Sequence, residues 1–205
     1  MRDFTYDIMS DDLQPYLDQI RACQLCASDM SRAPHPVLQA SASARILVAG
    51  QAPGNLADVT GIPFNDPSGK RLREWMGVTD EEFYDASRVA VVPMGFCFPG
   101  YDSRGADRPP MVRCAETWRA GLLERLPDIR VTVLVGAIAQ KWHLGPRVGK
   151  TLTETVGKWQ DYTSDQVFTT PHPSWRNTAW LKRNPWFEAE VLPELRHAVR
   201  ADLAL

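Results

Sequence analysis

Arg45-Ile-Leu-Val-Ala-Gly-Gln-Ala-Pro-Gly54 is the stretch whose reading decides the fold. It begins as a continuous apolar run, the pattern of a strand buried on both faces. It ends in two glycines and a proline, where the chain must turn and where backbone N–H groups can approach a ligand with no side chain between. Val167-Phe-Thr-Thr-Pro-His-Pro-Ser-Trp-Arg-Asn177 repeats the plan near the other end: a strand-like run, then a loop in which His172 is held between two prolines. Loops at strand ends are where open α/β sheets bind ligands, so the two loops read as walls of one pocket.

Two further strands are expected at 89–92 and 131–135. Helical recurrence of apolar residues marks 11–22, with Pro15 in its first turn, and 70–76. A further turn at 79–86 has Thr79 or Asp80 as its cap. Residues 111–126 read as a helix ending before Pro127, and 137–143 as one stopped by Gly145-Pro146. Recurrence returns over 178–199, where Pro185 and Pro193 each start a new helix or kink the old one. Residues 99–110 form a Gly/Pro/Asp loop. Strands alternating with helices predict an α/β fold with parallel pairing.

The chain has 205 residues, a net charge of −2 and 44% hydrophobic residues, enough for one well-buried core and one domain, 1–205. This balance argues against a uniformly basic surface and a strong electrostatic grip on nucleic acid. A local basic groove remains open at Arg176, Lys182 and Arg183, beside the alternative of a solvated face. No apolar run is long enough to span a bilayer, and Met1-Arg-Asp-Phe-Thr-Tyr-Asp7 lacks the apolar core of a signal peptide. A cytoplasmic protein with no membrane partner is expected.

Cysteines occur at 23, 26, 97 and 114. In a cytosolic protein a close pair and a distant pair suggest a metal more than disulfides. The spacing admits zinc, a [4Fe–4S] cluster or four scattered core thiols with no metal. Phe64, in Gly61-Ile-Pro-Phe64, can stack on a flat base or anchor the core. His172 at a strand end can aim a donor at one fixed point. Trp175, Trp180 and Trp186 read as packing residues for the last helices rather than as a wedge into DNA.

Taken together, Cys23, Cys26, Gly50, Ala52, Pro53, Gly54, Gly61, Pro63, Phe64, Cys97, Cys114, His172 and Pro173 fall in an order that resembles the uracil-DNA glycosylase superfamily, in particular its iron-sulfur branch, family 4. The resemblance runs from Cys23 to about Leu195. It implies a three-layer α/β/α fold with a central four-stranded parallel sheet, and a [4Fe–4S] cluster held by Cys23, Cys26, Cys97 and Cys114. It also implies a monomer that flips a damaged base out of DNA and cleaves its N-glycosidic bond. On this reading Phe64 stacks on the base, and Gly50, Gln51, Ala52 and Gly95 contact it. His172 donates to the oxygen that gains charge as the base leaves, while Ser174, Arg176 and Asn177 hold the DNA backbone.

Two positions depart from the family pattern. The first motif usually carries a carboxylate at its second position, and related branches carry Asp or Asn at the third; here Gln51 and Ala52 stand there. That leaves Gln51 to orient a water through its amide, or Asp58 to act as base from further along the loop. Four residues before Cys97 the family has an Asn that reads the base; here it is Pro93, which lacks both the amide and an N–H. Excision of uracil or a related deaminated base is the leading expectation. The alternative is a catalytically altered or inactive nucleic-acid or nucleotide-binding protein of the same fold.

Overall fold

The computed structural model describes residues 12–204. The sequence readings at Met1–Asp7 and at Asp11 lie outside the described residues. Four strands, β1 (Ile46–Ala49), β2 (Val89–Val91), β3 (Val131–Val135) and β4 (Val167–Thr170), form one sheet in the order β2-β1-β3-β4. Every pairing is parallel, with Ile46 opposite both Val89 and Val131, and Thr132 opposite Val167.

Period-two alternation sorts the strand side chains to two faces. Ile46, Val48, Val89, Val91, Val131 and Val133 pack on one face against Leu72, Trp75, Phe83, Leu192 and Leu195. Leu47, Ala90 and Val92 face the other way, onto Leu13, Leu17, Ile20, Leu122 and Leu126. Helices therefore cover both faces, which is the three-layer α/β/α arrangement, and both faces being buried explains why β1 and β2 read as unbroken apolar runs.

Several helices differ from their sequence pattern for local reasons. Pro67–Met76 begins three residues earlier than its apolar recurrence, because Asp66 accepts Gly69 N–H at 2.8 Å and Pro67 occupies the first turn. Thr79 caps Asp80–Tyr84 with a reciprocal Thr79/Glu82 box. The run after Met111 is not uniform: Val112–Cys114 and Ala120–Glu124 are α-helical and Ala115–Arg119 between them is a π turn. A second π turn, Phe187–Val191, follows Pro185, and Pro193 sits in the first turn of Leu192–Leu203. The helices Leu152–Gly157 and Gln160–Thr163 had no clear apolar recurrence to announce them.

Candidate base-binding site

The first motif leaves β1 and the second leaves β4, and the two loops meet at the same end of the sheet around an open cavity of about 780 Å³. Gly50 to Gly54, Phe64, Pro93, Tyr101 and His172 are among the residues that line it.

Phe64 is held by its backbone. It is a non-glycine residue at φ 52°, a conformation that costs energy unless neighbours enforce it. Its carbonyl accepts from Arg73 Nη1 at 2.9 Å and from Tyr84 Oη at 3.1 Å, and buried Arg73 is itself anchored to Asp80 at 2.6 Å. Two glycines make room. A Cβ on Gly50 would come within 3.1 Å of the Phe64 ring, and one on Gly69 would lie 1.6 Å from the Phe64 carbonyl oxygen. The ring therefore lies against the first motif with its position fixed before any ligand arrives.

His172 is also preorganised. Its Nδ1 accepts the Ser174 N–H at 3.2 Å, and its carbonyl accepts from the Asn177 side chain at 2.7 Å. A ring that accepts at Nδ1 carries its proton on Nε2 when neutral. Burial pushes the His172 pKa down; Asp66 and Asp107 pull it back up, and Arg176 lowers it further. Burial prevails, so near neutral pH the ring is an uncharged Nε2–H donor.

Other expected site residues divide. Gln51 lines the cavity and its amide donates to Arg108 O at 3.2 Å. Ala52 lines the cavity as well. Ser174 Oγ accepts Arg176 N–H and caps the turn Trp175–Asn177, while Ser174 O accepts from Arg71. Arg176 lies 5.6 Å over the Trp175 ring on the exposed rim. Asn177, assigned to the DNA backbone on sequence, lines the cavity and donates one amide N–H to His172 O. Gly95, assigned to the base, is not among the lining residues: its N–H goes to Gln51 O at 3.0 Å, and Pro110 packs against it. Asp58 likewise does not line the cavity, and its carboxylate pairs with Arg32 at 3.0 Å.

The tryptophans do not act as one packing group. Trp180 is buried against Trp186 and Phe187 with its indole N–H on Thr153, whereas Trp175 is 74% exposed at the cavity rim. Sequence reasoning also passed over Asp66, Tyr101 and Asp107 in the cavity wall. Only the Asp-rich character of the loop 99–110 hinted at the last two.

Behind the wall, the four cysteines are neighbours. Burial, with Cys114 next in effect and Cys23 and Cys26 further off, pushes the Cys97 thiol up to about 12. Burial, with Cys26 and Cys23 nearby, raises Cys114 to about 11. Leu25 N–H and Trp118 Nε1–H donate to Cys23 Sγ at 3.4 Å each, Phe96 N–H donates to Cys114 Sγ at 3.4 Å, and the His35 N–H donates to Cys97. Among the described residues no three His, Cys, Asp or Glu converge as ligands of one metal ion.

Arg119, at the end of the π turn that follows Cys114, is fully buried. It donates to Val92 O, Pro93 O and His143 Nε2, and among the described residues its Nε has no hydrogen-bond partner. Burial lowers its pKa only to about 10, so it is a cation at neutral pH. Burial first, then Arg119, pushes His143 down to about 3. The unfolded chain binds this proton near 6.5 and the folded one does not, so the contribution to stability is complete above 6.5 and is lost as pH falls towards 3. Stability should fall on acidification from pH 7 to pH 5, with a slope of up to about 1.4 kcal/mol per pH unit from this group, and the melting temperature should fall with it. His143→Gln, which keeps an acceptor for Arg119 but cannot titrate, should flatten that slope in thermal melts.

Residues 38–196 match the family described as UDG, the uracil DNA glycosylase superfamily. The chain is 28% identical over 169 residues to the type-4 uracil-DNA glycosylase of Saccharolobus solfataricus (strain ATCC 35092 / DSM 1617 / JCM 11322 / P2), a match covering 80% of this chain and 76% of that protein. The solution NMR structure of a proposed uracil DNA glycosylase from Methanosarcina acetivorans superposes with a TM-score of 0.46 at 14% identity, over 80% of this chain and 98% of that one. The pocket between the two motif loops thus sits in a chain that belongs to the uracil DNA glycosylase superfamily.

Proposed function

We propose that this protein is a DNA glycosylase that flips a deaminated base, uracil or a related one, out of DNA and hydrolyses its N-glycosidic bond. The observation that carries the reading is the pair formed by Phe64 and His172 in one cavity, each locked by backbone hydrogen bonds. A flat aromatic face and a fixed neutral donor are what a departing base requires. The base stacks on Phe64, and His172 Nε2–H donates to the carbonyl oxygen that gains charge as the C1′–N bond breaks. On the rim, Arg176 neutralises backbone phosphate and exposed Trp175 occupies the gap left in the stack. The reading takes the chain as one domain, a monomer acting on DNA in the cytoplasm.

The donor set around the cysteines fits an anionic iron-sulfur group. Three of the four neighbouring thiols, Cys23, Cys97 and Cys114, receive N–H donors, as sulfur ligands of clusters do. Arg119 lies close enough to Cys114 to act on it electrostatically, a buried cation with one N–H unspent. Cys23, Cys26, Cys97 and Cys114 would hold a [4Fe–4S] cluster, whose contribution is four bonds to sulfur that tie the segment after Leu13–Arg21 to the walls carrying Pro93 and Arg119. Protein purified without oxygen should carry iron rather than zinc by elemental analysis, and Cys114→Ser should lose that iron and melt at lower temperature. Stoichiometric zinc, or no metal with unchanged melting, would remove the assignment.

The functional test is incubation with oligonucleotides carrying uracil, hypoxanthine or xanthine, followed by alkaline cleavage of abasic sites. Strand scission at one lesion and not at the undamaged control is the expected result. Tight binding to a modified strand with no abasic product would instead favour the non-cutting alternative, for which Gln51 and Ala52 in place of a carboxylate are the motive.

A further inference from the structure

The cavity has a donor for the leaving base, but the first motif brings no carboxylate to the water that must replace it. Gln51 and Ala52 are neutral, and Asp58 is paired with Arg32 and does not line the cavity. Among the residues that line it, two are acids, Asp66 and Asp107, and both act electrostatically on His172. Asp66 has structural work, accepting Gly69 N–H as the cap of Pro67–Met76. Among the described residues no hydrogen bond or ion pair engages the Asp107 carboxylate.

The loop that carries Asp107 is built to hold it. Tyr101 and Asp107 pair as an antiparallel bridge, closed by Asp102 N–H to Ala106 O at 2.8 Å and Arg108 N–H to Gly100 O at 2.9 Å. Inside the turn, Asp102 Oδ1 accepts from Arg104 N–H and Ala106 N–H, and Gly105 takes a positive φ of 75°. Residues directly opposite in such a bridge project to the same face, and both Tyr101 and Asp107 line the cavity. The Gln51 amide joins this loop to the first motif through Arg108 O.

Resting on the glycosylase reading above, we propose that Asp107 is the catalytic carboxylate of the reaction, the group that orients the attacking water and receives its proton. The water oxygen bonds to C1′ as the C1′–N bond breaks, and the electron pair of that bond leaves on the base. One water proton passes to Asp107 and on to solvent, while His172 Nε2–H holds the charge on the base oxygen until solvent protonates the base. Before the water closes, the negative Asp107 also stabilises the positive charge that develops on the sugar. On this reading the carboxylate of the pocket comes from the hairpin after β2 and not from the loop after β1.

The test uses the lesion that the wild type excises, in single turnover, and the same duplex with a 2′-fluoro sugar at that nucleotide as an uncleavable probe of binding. Asp107→Asn should slow excision by about 10²-fold or more, the range of a lost general base, with unchanged binding of the fluorinated duplex. Asp107→Glu should recover part of the rate. Excision by Asp107→Asn at the wild-type rate, or a loss of rate matched by a loss of binding, would overturn the role while leaving the glycosylase reading intact. A wild type that excises no lesion would overturn both.

Discussion

His172→Ala is expected to lower single-turnover excision by about 10²–10³-fold, the cost of removing one preorganised donor to a developing oxyanion. Binding of an uncleavable lesion duplex should change little, because the donor acts on charge that exists only as the bond breaks. The size of the effect follows from how the ring is set. Ser174 N–H occupies Nδ1 and the Asn177 amide holds the His172 carbonyl, so the Nε2–H donor needs no reorganisation during the reaction. Asn177→Ala should produce a smaller loss in the same direction, since it loosens the loop without removing the donor. Equal losses of rate and binding in His172→Ala would show that the ring holds the ground state rather than the departing base.

Gly69→Ala is expected to be the most damaging conservative change in the pocket wall. The added methyl would lie 1.6 Å from the Phe64 carbonyl oxygen and 2.4 Å from the carbonyl carbon, backbone atoms already fixed by Arg73 and Tyr84. Relief requires moving either the first turn of Pro67–Met76 or Phe64 itself. Overpacking costs about 1–3 kcal/mol where side chains can yield, and a backbone obstacle places this site at the upper end or above. At about 2–4 °C per kcal/mol for a chain of this size, a fall in melting temperature of roughly 6–12 °C is expected. Lesion binding should weaken with it as the Phe64 ring leaves its seat. Gly54→Ala is the control: nothing lies within 4 Å of its added methyl and its φ is −79°, so a change of less than about 1 kcal/mol is expected. A Gly69→Ala protein as stable as Gly54→Ala would show that Phe64 is not rigidly seated.

Particular residues show how far the sequence could be read. Ile46 to Ala49, Val131 to Val135 and Val167 to Thr170 announced themselves because strands buried on both faces are rich in apolar and β-branched residues, and the four-stranded parallel sheet followed. That His172 and Phe64 line the cavity was legible because prolines and glycines mark their loops, one after β4 and one between the helices Asn55–Thr60 and Pro67–Met76. Asp58 misled, since a carboxylate near the first motif looks like a base until its partner is seen, and Arg32 is 26 residues away in the chain. Gly95 is a similar case, because its N–H is taken by Gln51 O from a distant segment of the chain. Nothing local marked Arg119, whose partners Val92, Pro93 and His143 lie 24 to 27 positions off.

By itself the sequence determined the sheet, the two loops at its edge and the residue types available to them, because periodicity, glycine and proline act over a few neighbours. Only the tertiary structure decided which of those residues are free to do chemistry. Hydrogen bonds and ion pairs formed across the chain engage Asp58 and the Gly95 N–H and bury Arg119 behind Pro93, while the fold exposes Trp175 and carries Asp107 to the cavity wall. A side chain's role depends on who else reaches it, and that is settled by folding distance rather than by sequence distance.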